Sequence, residues 1–178
     1  KNNAFAAPAE SITEMYAMPN VQDIDPTPLM SFFYYLFFGM MLSDAGYGLL
    51  LFFGSWFLMR KYRPEAAMRR NLKLFMYCGV STVLWGLVFG SFFGDAPTVI
   101  AKTFFGVDFA MPKLLDPITD AVTLLVLSLI LGLLQILVGL GAKFYMLWRS
   151  GDKAGAVFDV GFWMTALLGF GILAGGMV

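Results

Sequence analysis

The sequence predicts an all-α fold, a polytopic bundle of transmembrane helices. Three observations carry this reading. Of 178 residues, 59% are hydrophobic and 13% are charged, where a soluble domain carries about a quarter charged residues. The apolar residues are gathered into long runs at 29–59, 74–94, 121–148 and 160–178, and roughly 20 such residues in a helix cross about 30 Å of hydrocarbon. The connections between runs alternate between basic and acidic, as they do when successive loops lie on opposite sides of a membrane.

Several classes are excluded at once. There is no histidine, so a His-based metal or nucleophile site within these residues is ruled out, and no metal or cofactor is expected. The single cysteine, Cys78, sits inside an apolar run and says little about redox compartment. Twelve basic and twelve acidic residues cancel, so no nucleic-acid partner is expected. No Gly-Lys-Ser/Thr phosphate loop and no paired nucleophile and base are present, and the chain is not expected to be an enzyme by itself. No signal peptide is read at its start. The chain begins at Lys1 rather than Met and the run 160–178 at its end is apolar, which predicts a piece of a longer protein.

Residues 1–28 are the most polar part and read as a linker. Lys1 to Glu10 has no periodic pattern, and Ser11 to Asp25 mixes Glu14, Asp23 and Asp25 with the breaker Pro19. Asp25-Pro26 then marks a helix start, because Asp caps well and proline at the first helical position loses nothing by lacking its N–H. The run 29–59 is thirty-one residues long, too long for one upright helix and slightly short for two. Its middle, Gly39 to Gly48, holds the run's only formal charge, Asp44, among three glycines.

The connection 60–73 carries Arg60, Lys61, Arg63, Arg69, Arg70 and Lys73 against Glu65 alone, and is expected on the cytoplasmic side. Residues 74–94 suffice for one span. The loop 95–120 carries Asp95, Asp108, Asp116 and Asp120 against Lys102 and Lys113 and is expected outside. Residues 121–148 span with some tilt. Lys143, Arg149 and Lys153 fit a return to the cytoplasm, and 160–178 begins a further span. If the polar N-terminus is also cytoplasmic, the run 29–59 crosses twice and turns near Asp44 to Tyr47. If it is external, one long tilted helix suffices. A break at Ser43-Asp44 would point toward protein or a water-filled cavity, where irregular backbone is tolerated.

Five features are candidate functional or packing sites. An acid within a membrane segment usually faces a bundle interior or a water path, so Asp44 reads as an ion-pathway carboxylate. It reads equally as the cap of a half-helix beginning at Ala45, and the two roles can coexist. Asp95 closes the second run, as an ordinary helix-end residue or as a second pathway acid. Gly86, Gly90 and Gly94, at spacing four, read as a packing face where another backbone approaches closely. Ser128, Gly132, Gln135 and Gly139 share one face of the third run, with Gln135 as an interhelical hydrogen-bonder in preference to a transport role. The cluster Phe32 to Phe38 reads as lipid-facing and packing surface.

Asp23-Ile24-Asp25-Pro26-Thr27-Pro28, Phe37-Phe38-Gly39-Met40-Met41-Leu42-Ser43-Asp44-Ala45-Gly46-Tyr47-Gly48, Trp85-Gly86, Gly90-Ser91-Phe92-Phe93-Gly94-Asp95 and Leu115-Asp116-Pro117 together resemble subunit I of prokaryotic V-type (A-type) rotary ATPases. This is the a-subunit family. The resemblance runs from about Tyr16 to the end. It implies a cytoplasmic N-terminal arm followed by eight membrane helices, with this chain as the N-terminal part of the membrane domain. The run 29–59 then becomes a tight pair of short helices near 29–43 and 45–59. Further helices fall near 74–94, 121–148 and 160–178, about five in all.

The resemblance also implies a role. The subunit is stator: it faces a rotating ring of membrane subunits and supplies two offset half-channels for protons or sodium ions. An essential arginine lies on a later helix, beyond Val178. Asp44 and Asp95 lie toward the external half-channel. Gln135 stands where many relatives have histidine, which tells against a titrating role there. The implied partners are the rotor ring, peripheral-stalk subunits and the central-stalk cap through the arm, and lipid, in the cell membrane. The competing expectations are half of a secondary transporter with a broken first helix and a purely structural membrane anchor.

Overall fold

A computed structural model describes residues 2–16, 24–62, 64–108 and 112–176. Lys1, Pro19, Asp23, Arg63 and Val178, invoked above, lie outside the described residues. Among the described residues there are helices and no strands, so the protein is all-α. Among the described residues three helices are long and apolar enough to cross a membrane, and one more is apolar but shorter, which makes this a multi-pass membrane protein. The chain forms two compact units, one built from residues 25–120 with the N-terminal segment, the other mainly from 121–178.

In the first unit the N-terminal segment is more than a linker. A 3₁₀ turn, Ala7–Ala9, leads into α1, Glu10–Tyr16. Ala6, Pro8, Ala9 and Thr13 are buried, because small residues let this segment lie close against the helices beneath it. α2, Thr27–Leu42, starts where the Asp25 carboxylate accepts the Thr27 N–H at 2.9 Å, which satisfies an orphan donor of the first turn. The hydroxyls of Thr13 and Thr27 meet at 3.0 Å and tie α1 to that start. α2 ends at Ser43, whose φ of 41° is left-handed.

α3, Ala45–Tyr62, follows after Asp44 and carries Arg60 and Lys61 in its last turn, where cations suit the negative end of the helix dipole. α4 is Ala66–Phe89. It begins eight residues before the apolar run, so Arg69, Arg70 and Lys73 are helical. The helix formers that follow Pro64-Glu65 explain this, and the Glu65 carbonyl takes the first helical bond from Arg69 N.

α2 and α3 were expected to pair tightly with each other. Instead each packs on α4 and they meet little beyond their shared turn. Small residues make that possible. A Cβ at Gly39 would lie 2.6 Å from the Ser81 carbonyl carbon, one at Gly48 2.9 Å from the Gly79 oxygen, and one at Gly79 2.8 Å from the Gly48 oxygen. Backbones can approach this closely only where side chains are absent. Near the basic end of α4, Ala9, Tyr35, Leu74 and Cys78 form a buried core. There Phe5, Tyr35 and Tyr77 have ring centroids 5.0–5.8 Å apart, and the Tyr35 hydroxyl donates to the Phe5 carbonyl at 3.1 Å. Arg70 reaches Glu10 at 3.5 Å and Glu14 at 3.3 Å.

After α4 the loop holds a short helix, α5, Ala96–Ile100, continued as a π-helical turn, Ala101–Phe105. In the second unit α6, Ala121–Ser150, runs 30 residues, about 45 Å at 1.5 Å per residue. Gly151, with φ 91°, turns the chain into α7, Lys153–Gly155, which Asp152 caps by accepting the Gly155 N–H at 2.9 Å. A π-helical segment, Ala156–Gly161, runs on into α8, Phe162–Gly175.

Candidate functional site

Asp44 lies at the bend between α2 and α3 and is 7% exposed. Its backbone carbonyl accepts the first helical bond of α3, from Gly48 N. Its Oδ1 accepts the N–H groups of Gly46 at 2.9 Å and Tyr47 at 3.2 Å, so the carboxylate caps α3 at its second and third residues. Oδ1 also accepts the Phe93 N–H at 2.9 Å, while Oδ2 accepts the Gly94 N–H at 2.8 Å and the Ser91 hydroxyl at 3.0 Å. Five donors converge on a group with about four lone-pair sites.

The turn that supplies three of those donors is made by the end of α4. Gly90, φ +65°, closes the helix: its N–H bonds the Leu87 carbonyl and the next N–H, of Ser91, bonds Gly86. This is the Schellman arrangement, and its left-handed residue favours glycine. Phe93, φ 48°, and Gly94, φ +67°, then curl the backbone so that consecutive N–H groups face one point. That concavity of amides suits an anion. The Ala45 N–H returns a bond to the Ser91 carbonyl at 2.9 Å, and the Phe93 ring covers Gly46 and stands edge-on to Tyr47 at 5.3 Å. On the far side, the N–H groups of Leu114 and Leu115 bond the Val88 carbonyl, and Lys113 lies against Gly90.

The other candidates separate. Asp95 follows this turn directly, but its side chain is exposed and caps nothing; only its carbonyl serves α5. Gly86, Gly90 and Gly94 do not share a helix face, because the cap stops α4 at Phe89. Gly86 packs against the backbone of Asp44 and Ala45 from within α4; Gly90 is a turn residue against Pro112 and Lys113, and Gly94 is a turn residue with nothing within 4 Å. In the second unit nothing within 4 Å faces Gly132 or Gly139, and Gln135 is exposed.

Sequence reasoning missed Ser91 and Phe93 as partners of Asp44, and Gly48 and Gly79 as a contact pair. The string Gly90-Ser91-Phe92-Phe93-Gly94, two glycines bracketing a serine at the end of an apolar run, was the available signal for a turn. In the following loop the Ile118 N–H, with the Lys113 ammonium nearby, holds the Asp116 carboxyl below its ordinary value.

No family model matches the chain. It is similar to the A-type ATP synthase subunit I of Pyrococcus horikoshii, 35% identical over 175 residues, and to that of Thermococcus kodakarensis, 34% over 176; each match covers 98% of this chain and 26% of the relative. A V-type ATP synthase subunit I from Chlamydia trachomatis is 38% identical over 98 residues, covering 53% of this chain and 15% of that protein. The chain thus spans about a quarter of the length of the curated relatives it matches along nearly all of its own. Over that stretch, the chain belongs to the subunit I family of A-type and V-type ATP synthases.

Proposed function

We propose that this chain is part of the membrane-embedded, non-catalytic stator of an ion-translocating rotary ATPase, scaffolding the half-channels beside a rotor ring. The names of its relatives supply the assembly. The observation that carries a role for this stretch is the Asp44 carboxylate, held between α3 and the end of α4 by five donors.

α2 has 16 residues, about 24 Å of helix, less than the roughly 30 Å of hydrocarbon. The bend at Asp44 therefore belongs at a recessed level, where water reaches only through protein. A polar backbone there must be satisfied by the protein itself, and the amide shell does this. The acid serves two ends. As an anion it welds the hairpin to α4 and sets the height of the adjoining Asp95. On taking a proton its Oδ2 becomes a donor, which the Ser91 hydroxyl can accept by rotating but the Gly94 N–H cannot. Proton passage and loosening of the turn are thereby linked.

The polar N-terminal segment and the basic stretch pair through Glu10, Glu14 and Arg70 at one end of the first unit. This supports placing loop 60–73 in the cytoplasm with the N-terminus, and loop 95–120 outside. No arginine lies within an apolar run of this chain, so the ring-facing arginine belongs to another part of the subunit. The rotor ring is the proposed partner of the membrane helices, and the stalk subunits of the cytoplasmic side.

The test is Asp44→Asn in the assembled complex, read as ATP-driven ion uptake into vesicles. Slowed uptake with assembly intact is expected. Wild-type uptake would remove Asp44 from the pathway and leave it the clamp alone.

A further inference from the structure

The end of the first unit opposite Asp44 carries cations that the fold does not use. Among the described residues the ion pairs engage Arg70, Lys102 and Lys113; Arg60, Lys61 and Arg69 are exposed and enter none of them. The Arg60 guanidinium lies over the Trp56 ring at 5.5 Å, and the Lys61 ammonium lies 5.4 Å from Phe57 and 5.5 Å from Tyr62. The Arg60 cation is thus folded back by one helical turn, and that of Lys61 lies between a ring one turn back and the ring of its neighbour. Trp56 and Phe57 are themselves 45% and 53% exposed, on the flank of α3 just before its basic end.

We infer that the end of α3 is a binding surface for anionic phospholipid headgroups. This rests on the protein being membrane-embedded, and not on its proposed part in ion transport. Long cationic side chains at a helix end place their charge at the headgroup level, and tryptophan and tyrosine favour the same level. A phosphate there finds cations at two adjacent positions, while the exposed rings of Trp56 and Phe57 offer apolar surface to its acyl chains. Free phosphate has nothing to offer those rings. An acidic protein partner would pair with the cations but make no use of the exposed rings beside them. Glu65 is the one acid on the connection to α4, so the local charge stays positive.

The experiment releases the intact protein from nanodiscs of phosphatidylcholine mixed with phosphatidylglycerol and counts retained phosphatidylglycerol by native mass spectrometry. Wild type is expected to retain it in preference to phosphatidylcholine. Arg60→Gln and Lys61→Gln should each lower that preference about fivefold at low salt. The charge-conserving double variant Arg60→Lys, Lys61→Arg is expected to keep it, which separates lost charge from lost folding. Unchanged preference in the glutamine variants, or equal loss in the conservative one, would overturn the assignment. Displacement of the lipid by inorganic phosphate at matched concentration would overturn it in favour of a free anion.

Discussion

The Asp44 Oδ2 and the Gly94 N–H lie 2.8 Å apart although fifty residues separate them in the chain. That bond, with those from Ser91 and Phe93, makes one carboxylate the joint between a helix start and a helix end. Removing it unmakes both. Asp44→Ala leaves the buried donor at Gly46 and the part-buried donors at Tyr47, Phe93 and Gly94 without that acceptor; a fully buried orphan costs about 1–3 kcal/mol, and the part-buried ones cost less. Asn caps helices about as well as Asp, so Asp44→Asn keeps the start of α3 but sets its amide against the Gly94 N–H. Thermal unfolding in mild detergent should rank wild type above Asn, and Asn well above Ala. Equal stability of the two variants would contradict the clamp.

Glycines divide by what a methyl group would meet. At Gly86 it would press on the backbone of Asp44 and Ala45, and at Gly79 it would lie 2.8 Å from both the Gly48 oxygen and the Phe52 nitrogen. Backbone cannot yield cheaply, so Gly86→Ala and Gly79→Ala should each cost about 1–3 kcal/mol through overpacking. Gly54 in α3 has nothing within 4 Å. Gly54→Ala should be neutral or stabilising by up to about 1 kcal/mol, since alanine restricts the unfolded chain and favours helix. Unfolding midpoints of the three variants test the ordering.

The N-terminal segment is held more by its hydrogen bond than by its ion pairs. Tyr35→Phe removes the bond to the Phe5 carbonyl and should cost about 1 kcal/mol. Arg70→Gln removes two half-exposed pairs and should cost less than about 1 kcal/mol, diminishing further in salt. Hydrogen exchange over residues 2–16 would show faster opening in the first variant than in the second.

Asp25 makes one start signal pH-dependent. The Thr27 hydroxyl, its N–H and the Asn2 amide favour the charged carboxylate, so its pKa lies below the ordinary 3.8. A lowered folded value contributes stability that is complete above the unfolded value and lost as pH falls through the folded one. The stability difference between wild type and Asp25→Asn should therefore hold steady from pH 7 to about 5 and shrink below about 4. A difference that grows on acidification would exclude this cap.

Much of the architecture is legible because apolar length and charge act locally. The runs announce helices, and Ser43-Asp44 among glycines announces a break. Boundaries are less legible. α4 begins at Ala66 because helix-forming residues extend it past the apolar run, and it stops at Phe89 because Gly90 adopts the left-handed cap, although apolar residues continue to Gly94. A spacing of four cannot distinguish a helix face from three glycines of which only one is helical. The stripe at Gly86, Gly90 and Gly94 failed for that reason.

By itself the sequence determined that this protein is a helical membrane bundle, where its connections carry charge, and that one acid sits inside its first apolar run. Hydrophobic transfer and helix geometry depend only on a residue and its near neighbours, so they can be read along the chain. The tertiary structure alone decided what Asp44 touches. Its capping bonds to Gly46 and Tyr47 were within reach of local reading. Those to Ser91, Phe93 and Gly94 exist because Gly48, Gly79 and Gly86 let α3 and α4 approach closely enough to bring a helix start against a helix end. No local pattern encodes that approach.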